Sequence, residues 1–303
     1  MKPEIRPYRL FDVTLLRREA LTPHLSRLTF TGPQVGEMTT HAPDQRIKMF
    51  FPHGEGEAET LPDVATWYAL YKAMPAATRP AMRTYTIRAV RPEAREVDID
   101  FVMHGDEGPA SRWAARSKPG DRLQMTAPDA RYSGEVGGYE WKPPAGVRHV
   151  LLIADETALP ALAGILEGLA EAPSPPAVQA FVEVPEAADI LELPHWPGLD
   201  LVWMPRDAGD AALGGMAAAV QQARLPALAE AGAGTALPEV DVDAQVLWDR
   251  AAPLDGSFYA WVAGEAGAVL AIRKHLVKER GLDRRTLNLM GYWRRGIALD
   301  EVA

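Results

Sequence analysis

The sequence contains no cysteine, and this absence excludes several kinds of chemistry. Without thiols there is no structural disulfide, no nucleophilic cysteine, and no cysteine-ligated zinc site or iron–sulfur cluster. Positive charge is also scarce, because 32 Lys and Arg residues are outnumbered by 41 Asp and Glu residues, which gives a net charge of −9 and a pI near 5.4. An acidic chain is a poor match for the nucleic-acid backbone. We therefore expect no nucleic-acid partner.

Long apolar runs are absent as well. No run approaches the ~20 residues that cross a bilayer, so stable membrane insertion is not expected. The first residues, Met1–Val13, are charged throughout and lack the apolar core of a secretory signal. These absences predict a cytoplasmic protein. What is present is a chain of 303 residues, 47% of them hydrophobic, which is enough for two domains with their own cores.

The first expected domain, residues 1–140, consists of short segments with β character. Its candidate strands alternate apolar with polar residues and are bounded by Pro, Gly or Asp. They are Pro7–Leu15, Leu25–Phe30, Arg46–Phe51, Arg83–Val90, Val97–His104 and Arg122–Met125. Six short strands and a single short helix, Ser111–Ser117, predict a small antiparallel β-barrel or sandwich.

The second expected domain, residues 147–303, follows a linker at Trp141–Gly146 and has a different rhythm. Strands alternate with helices, which predicts βαβ units around a parallel sheet. The strands are Arg148–Asp155, Ala177–Val184, Leu199–Met204, Ser257–Ala263 and Thr286–Gly291, and the helices are Ala158–Ala170 and Ala266–Arg280. An acidic Ala/Gly-rich insertion, residues 207–250, interrupts this pattern, and we expect it to hold one helix, Ala211–Ala223, and a flexible loop centred on Ala229–Leu237.

Two motifs of the first domain point to chemistry. Arg83–Thr86 (RTYT) lies on a predicted strand, where an Arg can bind phosphate, a Tyr ring can pack on a flat heterocycle and a Thr hydroxyl can bind its polar edge. His104–Ala114 runs from a strand end through a Gly/Pro turn into a helix whose first N–H groups, beside Ser111, suit a pyrophosphate. Taken alone, each has a plainer alternative, namely an ordinary strand and a Ser-capped helix start.

The order of these motifs, an R-x-Y-T strand, a G-x-x-S helix start and then a βαβ domain, is typical of the ferredoxin–NADP reductase superfamily. Within it the chain closely resembles the siderophore-interacting protein family, the FAD-dependent ferric-siderophore reductases. The resemblance extends over both expected domains. The matching stretches are Asp44–Pro52, Arg83–Arg88, Asp98–Leu123, Leu151–Leu166, Tyr259–Gly281 and Gly291–Gly296.

The resemblance implies a barrel that binds FAD and an α/β domain that receives the electron donor, NADPH or NADH, or else a reduced ferredoxin. It implies hydride transfer to FAD, then electron transfer to a ferric siderophore and release of Fe(II). The cofactor and the iron carry this chemistry, so no catalytic side chain and no protein-bound metal are expected. The cofactor-binding candidates are Arg83, Thr84, Tyr85, Thr86, Val102, His104, Ala110, Ser111, Trp113, Asp155, Thr157 and Ala158, and the nucleotide-binding candidates are Gly264 and Glu265.

The turn Asp155–Pro160 (DETALP) stands where other flavin reductases carry a Gly-rich turn. The resemblance implies that this turn lies near the flavin ring and the hydride donor. The alternative is a capped helix start in which Asp155 or Thr157 accepts backbone N–H bonds. The two interpretations are compatible, since one acid of the turn can cap the helix while the other binds a ligand.

Ferric siderophores are often anionic, so a basic site is expected within this acidic protein. The stretch Arg273–Arg295 holds eight bases and two acids. The siderophore-binding candidates are Lys48, Arg131, Lys274, Arg294 and Arg295. Solvated surface bases are the alternative for any one of them. The run Ala127–Gly134 keeps the Pro and the Arg of the family pattern but not its glycines, so its turn and any flavin contact there stay open.

The sequence leaves the donor and the substrate class open. Arg206 and the Arg273–Lys274 pair are candidates for binding a nucleotide 2′-phosphate, which would favour NADPH, but they do not decide the choice. Two other functions stay possible on the residues alone. One is a flavodoxin- or ferredoxin-type reductase that does not act on siderophores, and the other is a cytosolic siderophore-binding protein with a vestigial flavin site.

Overall fold

A computed structural model describes residues 5–52, 58–105, 108–211, 215–225, 246–252 and 256–296. The chain divides into two compact units, Met1–Tyr139 and Glu140–Ala303, which we call unit 1 and unit 2. Each unit has its own apolar core. Within the described ranges, no helix has the length and apolar character needed to cross a membrane.

Unit 1 is built on a closed six-stranded antiparallel barrel, as its strand pattern predicts. Period-two alternation places Phe11, Val13 and Leu15 inside the barrel, where each is almost completely buried. The neighbour order is β1-β2-β5-β4-β3-β6, which closes because β6 pairs with both β1 and β3. The strands are β1 Tyr8–Thr22, β2 Leu25–Thr31, β3 Arg46–Phe51, β4 Ala81–Arg91, β5 Glu96–Val102 and β6 Arg122–Pro128.

Two helices accompany the barrel. The sequence pattern does not predict the first, α1 (Trp67–Ala73), which packs through Tyr71 on Phe50 in a second, smaller apolar cluster. The second, α2 (Pro109–Arg116), starts two residues earlier than expected and buries Ala114 in the barrel core. It lies against β3, β4 and β5, so it brings its own residues to the strand that carries the RTYT motif.

Unit 2 contains the expected βαβ arrangement around a six-stranded sheet of order β10-β12-β11-β7-β8-β9. All neighbouring strands are parallel except the short edge strand β10, which is antiparallel to β12 and which the sequence does not predict. The strands are β7 His149–Ala154, β8 Ala177–Val184, β9 Leu199–Pro205, β10 Trp248–Asp249, β11 Tyr259–Glu265 and β12 Leu287–Trp293, and the helices are α3 Leu159–Ala170, α4 Met216–Ala219 and α5 Ala266–Lys274.

Two helix predictions for unit 2 are too long. The helix expected over Ala211–Ala223 is the four-residue α4 continued by a 3-10 turn, because Gly215 at its start has a φ of 79°, a left-handed conformation that a helix cannot include. The helix expected over Ala266–Arg280 ends as an α-helix at Lys274 and continues as a π-helical turn, His275–Glu279. The loop predicted around Ala229–Leu237 lies outside the described residues.

The start of the predicted linker is fastened to unit 2. The Tyr259 hydroxyl donates to the Glu140 carbonyl and accepts from the Lys142 N–H, each at 2.8 Å. The Glu140 carboxylate in turn accepts from the Trp248 indole at 3.0 Å. The Trp141 ring packs edge-on against Tyr259, with 5.4 Å between centroids. The segment from Glu140 to Lys142 is therefore bound to the sheet.

One buried side chain joins the carboxyl ends of β7, β11 and β12. The Asp155 carboxylate follows β7 and is 2% exposed. Its Oδ1 accepts from the N–H and hydroxyl of Thr157, at 2.9 and 2.5 Å. Its Oδ2 accepts from the Glu265 N–H at 2.9 Å and from the Trp293 indole at 2.7 Å. We call these four hydrogen bonds the Asp155 latch.

The acid at the centre of the latch, Asp155, has a pKa well above its usual value. Burial raises the pKa of Asp155 to about 6, and the negative charge of Glu156 adds to this effect, while the hydrogen bonds from Thr157 and Trp293 oppose it. Burial therefore outweighs four well-made hydrogen bonds. The ionised latch costs the fold free energy that the protonated acid does not.

Asp155→Asn tests this conclusion. The pKa of Asp155 is about 6 in the folded chain and 3.8 as the reference value. The folded state thus binds the proton more tightly, and the stability gained is lost as the pH rises through 6. We expect the unfolding free energy of the wild type to fall by about 3 kcal/mol relative to Asp155→Asn between about pH 4 and pH 7. Urea unfolding monitored by tryptophan fluorescence measures it, since six of the eight tryptophans lie in unit 2.

Asp283→Asn is a control of opposite sign in the same unit. The hydrogen bond from Arg285 lowers the pKa of Asp283 below its usual value, so its contribution is present above the ordinary pKa and lost as the pH falls. The stability difference between wild type and Asp283→Asn should thus increase with pH on the acid side. A difference between wild type and Asp155→Asn that stays constant over the whole range would contradict the latch analysis.

Candidate functional site

The RTYT strand lies beside a group of aromatic rings at the edge of the barrel core. The Tyr85 ring on β4 is 4.2 Å from that of Phe101 and 6.0 Å from that of Phe51, centroid to centroid. Trp113 of α2 lies 5.9 Å from Phe51 and stacks on Phe30 at 6.0 Å. Phe51 therefore links the RTYT strand to α2. We call these five residues the aromatic rim.

The two sides of β4 carry different chemistry. Tyr85 packs against the barrel core, and burial raises the pKa of its hydroxyl above the usual value. Thr84 lies on the outer surface, where its hydroxyl accepts a hydrogen bond from the Lys48 ammonium at 2.7 Å. Ile47 and Met49 are buried in the core, so Lys48 points outwards, as strand alternation predicts.

The remaining members of the motif flank this pair. Arg83 is half-buried and donates from its guanidinium to the Met82 carbonyl at 2.9 Å. Thr86 is buried opposite Arg46 in the β3–β4 register. The RTYT strand therefore presents a guanidinium, an aromatic ring and hydroxyls within four consecutive residues.

Helix α2 begins without a side-chain cap. Its N-cap is Gly108, with a φ of 85° and no side chain to accept from the first-turn N–H groups, and Pro109 follows it. A Cβ built on Gly108 would meet no atom within 4 Å. Ala110 is buried beneath the helix, while Ser111 is half-buried in the first turn. Among the residues that the structure describes, no side chain caps the start of α2, and its N–H groups and dipole favour an anion there.

These features fit FAD. The uncapped α2 start and the Arg83 guanidinium suit a pyrophosphate, which FAD has and FMN lacks. The half-buried Tyr85 and Trp113 rings suit an aromatic ring system. The other two candidates from this region lie at the end of the neighbouring strand, where Val102 is half-buried and His104 is exposed.

Arg131 does not offer the unpartnered charge that a siderophore site would use. Its guanidinium binds the Asp129 carboxylate at 2.9 and 2.6 Å and lies 3.3 Å from Glu37. Burial alone would raise the pKa of Asp129, but the Arg131 hydrogen bonds outweigh it and hold that pKa below its usual value. Arg131 thus serves to neutralise a buried acid.

The basic C-terminal stretch is also less positive than its sequence indicates. Arg273 is 2% exposed and binds Asp249 at 2.7 Å, and Arg285 binds Asp283 at 2.5 Å. Of the siderophore candidates in this stretch, Lys274 is exposed on α5, and Arg294 and Arg295 follow β12.

In unit 2 the predicted residues meet at the carboxyl end of the sheet. The Asp155 latch joins Asp155 and Thr157 to Glu265, while Ala158 is buried where α3 begins. Gly264 has a φ of 155°, and a Cβ there would lie 2.6 Å from Asp155 Oδ2, so only glycine fits. At the carboxyl end of β7 the strand order reverses, because the chain continues to β8 on one side of β7 while β11 lies on its other side. Open α/β sheets bind their ligands at such a switch point.

Both acids of the DETALP turn have protein partners. The Asp155 carboxylate accepts its four latch bonds, two of them from backbone N–H groups as the alternative predicts, but it does not cap α3, whose N-cap residue Ala158 has no side-chain cap. The Glu156 carboxylate binds the guanidinium of Arg206 through two hydrogen bonds, of 2.8 and 2.7 Å. Arg206 and Arg273 are therefore both committed to acids, and neither is available as it stands for a 2′-phosphate.

Sequence reasoning missed several residues of these sites. Phe51 and Phe101 complete the aromatic rim, and Trp293 completes the latch. Phe51 and Trp293 stand within motifs that carry the family resemblance, so their position could have marked them. Glu183, which also binds Arg206 at 3.1 Å, lies in a strand with no such motif.

Comparison with known proteins agrees with this geometry. The family profile described as the siderophore-interacting FAD-binding domain matches residues 14–132, and the siderophore-interacting protein profile matches residues 147–296. The chain is 30% identical to a siderophore utilization protein from T. fusca, whose crystal structure superposes with a TM-score of 0.69 over 97% of this chain and 96% of that one.

Two relatives have named activities. The ferric vibriobactin reductase ViuB of Vibrio cholerae is 28% identical over 292 residues, 95% of this chain and 90% of that protein. The NADPH-dependent ferric-chelate reductase of Escherichia coli is 33% identical over 200 residues, 66% of this chain and 72% of that protein. With the barrel, the open α2 start and the matched profiles, these findings show that the chain belongs to the siderophore-interacting protein family and is an FAD-dependent oxidoreductase.

Proposed function

We propose that the protein is a ferric-siderophore reductase, which transfers electrons from a nicotinamide nucleotide through FAD to a ferric siderophore and releases Fe(II) in the cytoplasm. The observation that carries this proposal is the Lys48 ammonium, bound to the Thr84 hydroxyl on the outer side of the RTYT strand. It sets a cation for an anionic substrate next to the motif that fits the flavin. The activities of the Vibrio cholerae and Escherichia coli relatives support the same reaction.

The stoichiometry follows from the chemistry of the cofactor. When bound, FAD would supply two-electron oxidation of the nucleotide and one-electron transfer to iron, so one nucleotide would suffice to reduce two Fe(III) ions to Fe(II). Fe(II) binds the hard oxygen donors of a siderophore less tightly than Fe(III) does, so reduction loosens the complex. No proton has to be moved by a side chain to the iron.

The role of the protein in this proposal is to bind and orient the flavin, the ferric complex and the nucleotide. The first-turn N–H groups of α2 and the Arg83 guanidinium would bind the pyrophosphate, and the half-buried Tyr85 and Trp113 rings of the aromatic rim would pack against the flavin. Lys48 attracts the ferric complex, with its ammonium already oriented by Thr84. The Asp155 latch fixes the turn Gly264–Glu265, where the nucleotide is expected to bind.

The cofactor assignment gives one test. Heat-released flavin should run as FAD in chromatography, because FMN has a single phosphate and would leave half of the pyrophosphate site empty. Arg83→Ala should lower flavin occupancy, since a charge-assisted contact of about 1.5–3 kcal/mol is lost, and Arg83→Lys should restore part of it. FMN as the only released flavin, or full occupancy in Arg83→Ala, would contradict the assignment.

The substrate assignment gives a second test. Lys48→Ala should slow reduction of a triply anionic ferric catecholate and raise its apparent KM, while a neutral ferric hydroxamate is affected less. Because exposed charges are screened over ~8–10 Å at physiological ionic strength, added salt should shrink the difference. Stopped-flow measurement of iron reduction and of flavin reduction separates the steps, and flavin reduction by the nucleotide should not change.

Lys118→Ala is the matched control for Lys48, because it removes an exposed lysine of the same unit that lies beyond α2. It should leave both iron substrates unaffected. Equal losses for the anionic and the neutral complex in Lys48→Ala would assign Lys48 to the fold or the flavin instead of the substrate.

A further inference from the structure

Three neighbouring parallel strands of unit 2 carry charged residues at their carboxyl ends. Glu156 follows β7, Glu183 stands near the end of β8, and Arg206 follows β9. The Arg206 guanidinium binds both Glu156 oxygens, at 2.8 and 2.7 Å, and Glu183 Oε1 at 3.1 Å. We call these three residues the Arg206 clamp.

The clamp is largely buried on its acidic side and carries net negative charge. The side chains of Glu156 and Glu183 are only 6% and 16% exposed, while that of Arg206 is 39% exposed. One cation is balanced by two carboxylates, and the next residue, Asp207, adds a third acid whose Oδ1 accepts from the Ala187 N–H. The solvent side of this part of the sheet is therefore acidic, although an arginine is its most exposed member.

The insertion helps to hold the clamp in place. Glu183 Oε2 accepts a hydrogen bond from the Met216 N–H, the first residue of α4, at 2.8 Å. A Cβ on Gly215 would lie 2.9 Å from the same oxygen, so the approach of α4 to Glu183 requires a glycine there. Both Glu183 oxygens are thus occupied, one by Arg206 and the other by the insertion.

We propose that the Arg206 clamp makes the protein select NADH over NADPH. This inference rests on the proposed function, in which the nucleotide binds at the carboxyl end of this sheet. NADPH differs from NADH only by a 2′-phosphate on the adenosine ribose. In dinucleotide-binding folds an arginine at this end of the sheet accepts that phosphate, whereas an acid binds the 2′-hydroxyl of NADH and rejects the phosphate.

The reason lies in competition for one guanidinium. A 2′-phosphate dianion would have to displace Glu156 and Glu183 from Arg206, which would leave two poorly hydrated carboxylates without their cation, or else approach three acids. A neutral 2′-hydroxyl meets no such repulsion and can donate to a carboxylate. Arg273 offers no substitute, because it is buried against Asp249.

Binding of two nucleotide fragments tests the clamp without turnover. Isothermal titration calorimetry on the flavin-loaded wild type should show 5′-AMP bound about tenfold more tightly than adenosine 2′,5′-bisphosphate. Glu156→Gln/Glu183→Gln should tighten the bisphosphate by about tenfold but should not tighten 5′-AMP, whose 2′-hydroxyl loses an anionic acceptor. Arg206→Ala added to that variant should abolish the gain, because the released guanidinium is what binds the phosphate.

Asp200→Asn is the matched control. It releases Arg224 from an exposed pair of 2.6 Å at the opposite, amino end of β9, in the same unit. It should change neither affinity. If the double variant does not fold, Glu183→Gln alone should also tighten the binding of the bisphosphate. The comparison of 5′-AMP with the bisphosphate on the wild type needs no variant.

Kinetics separate this inference from the proposed function. Anaerobic flavin reduction by NADH should have a kcat/KM at least tenfold above that for NADPH, and the double variant should narrow the ratio. A wild type that prefers NADPH, or binds the bisphosphate more tightly than 5′-AMP, would overturn the clamp inference and leave the reductase intact. Reduction by a reduced ferredoxin but by neither nucleotide would overturn the proposed donor, and the fragment affinities would still decide the clamp.

Discussion

The ionised oxygens of Asp155 are the constraint on which the organisation of unit 2 depends. A single buried carboxylate is the common acceptor for groups from three places, the α3 turn, the start of α5 and the end of β12. The carboxylate oxygens accept all four bonds, and these bonds offset part of the cost of burying the acid, which raises its pKa to about 6. The absence of a side chain at Gly264 is a consequence, since the carboxylate occupies the space that a Cβ would need.

The turn that begins at Asp155 works differently from a glycine-rich phosphate-binding turn. A glycine-rich turn leaves its N–H groups open to a ligand, whereas here an acid of the chain occupies that position at the switch point of the sheet. The next acid, Glu156, is committed to Arg206. The carboxyl end of the sheet therefore holds more acids than bases around Arg206, which is unfavourable for additional phosphate groups. The candidate site of unit 1 has the opposite sign of charge, because the N-terminus of α2 and the Lys48 ammonium are both positive.

The sequence predicts the parts of this protein that depend on local pattern. Period-two alternation locates all six barrel strands and turns Lys48 outwards, because strand geometry alone fixes the side of a residue. It does not reveal the partners of Arg206, since Glu156 and Glu183 lie 50 and 23 residues away along the chain and no local spacing relates them to the arginine. The helix α1 and the edge strand β10 are missed for a similar reason. Each is short and forms only because a surface elsewhere in its unit accepts it.

The tether at Tyr259 has a consequence for the modular history of the chain. Its hydroxyl is bound to the backbone at Glu140 and Lys142, and the Glu140 side chain reaches the edge strand through Trp248. A recombination event that joined a new partner at residue 147 would discard those contacts and leave the Tyr259 hydroxyl buried without them. A junction before Glu140 would keep them. Exchange of reductase halves among relatives should therefore succeed at the earlier junction, because the start of the Pro-rich stretch belongs structurally to the sheet that follows it.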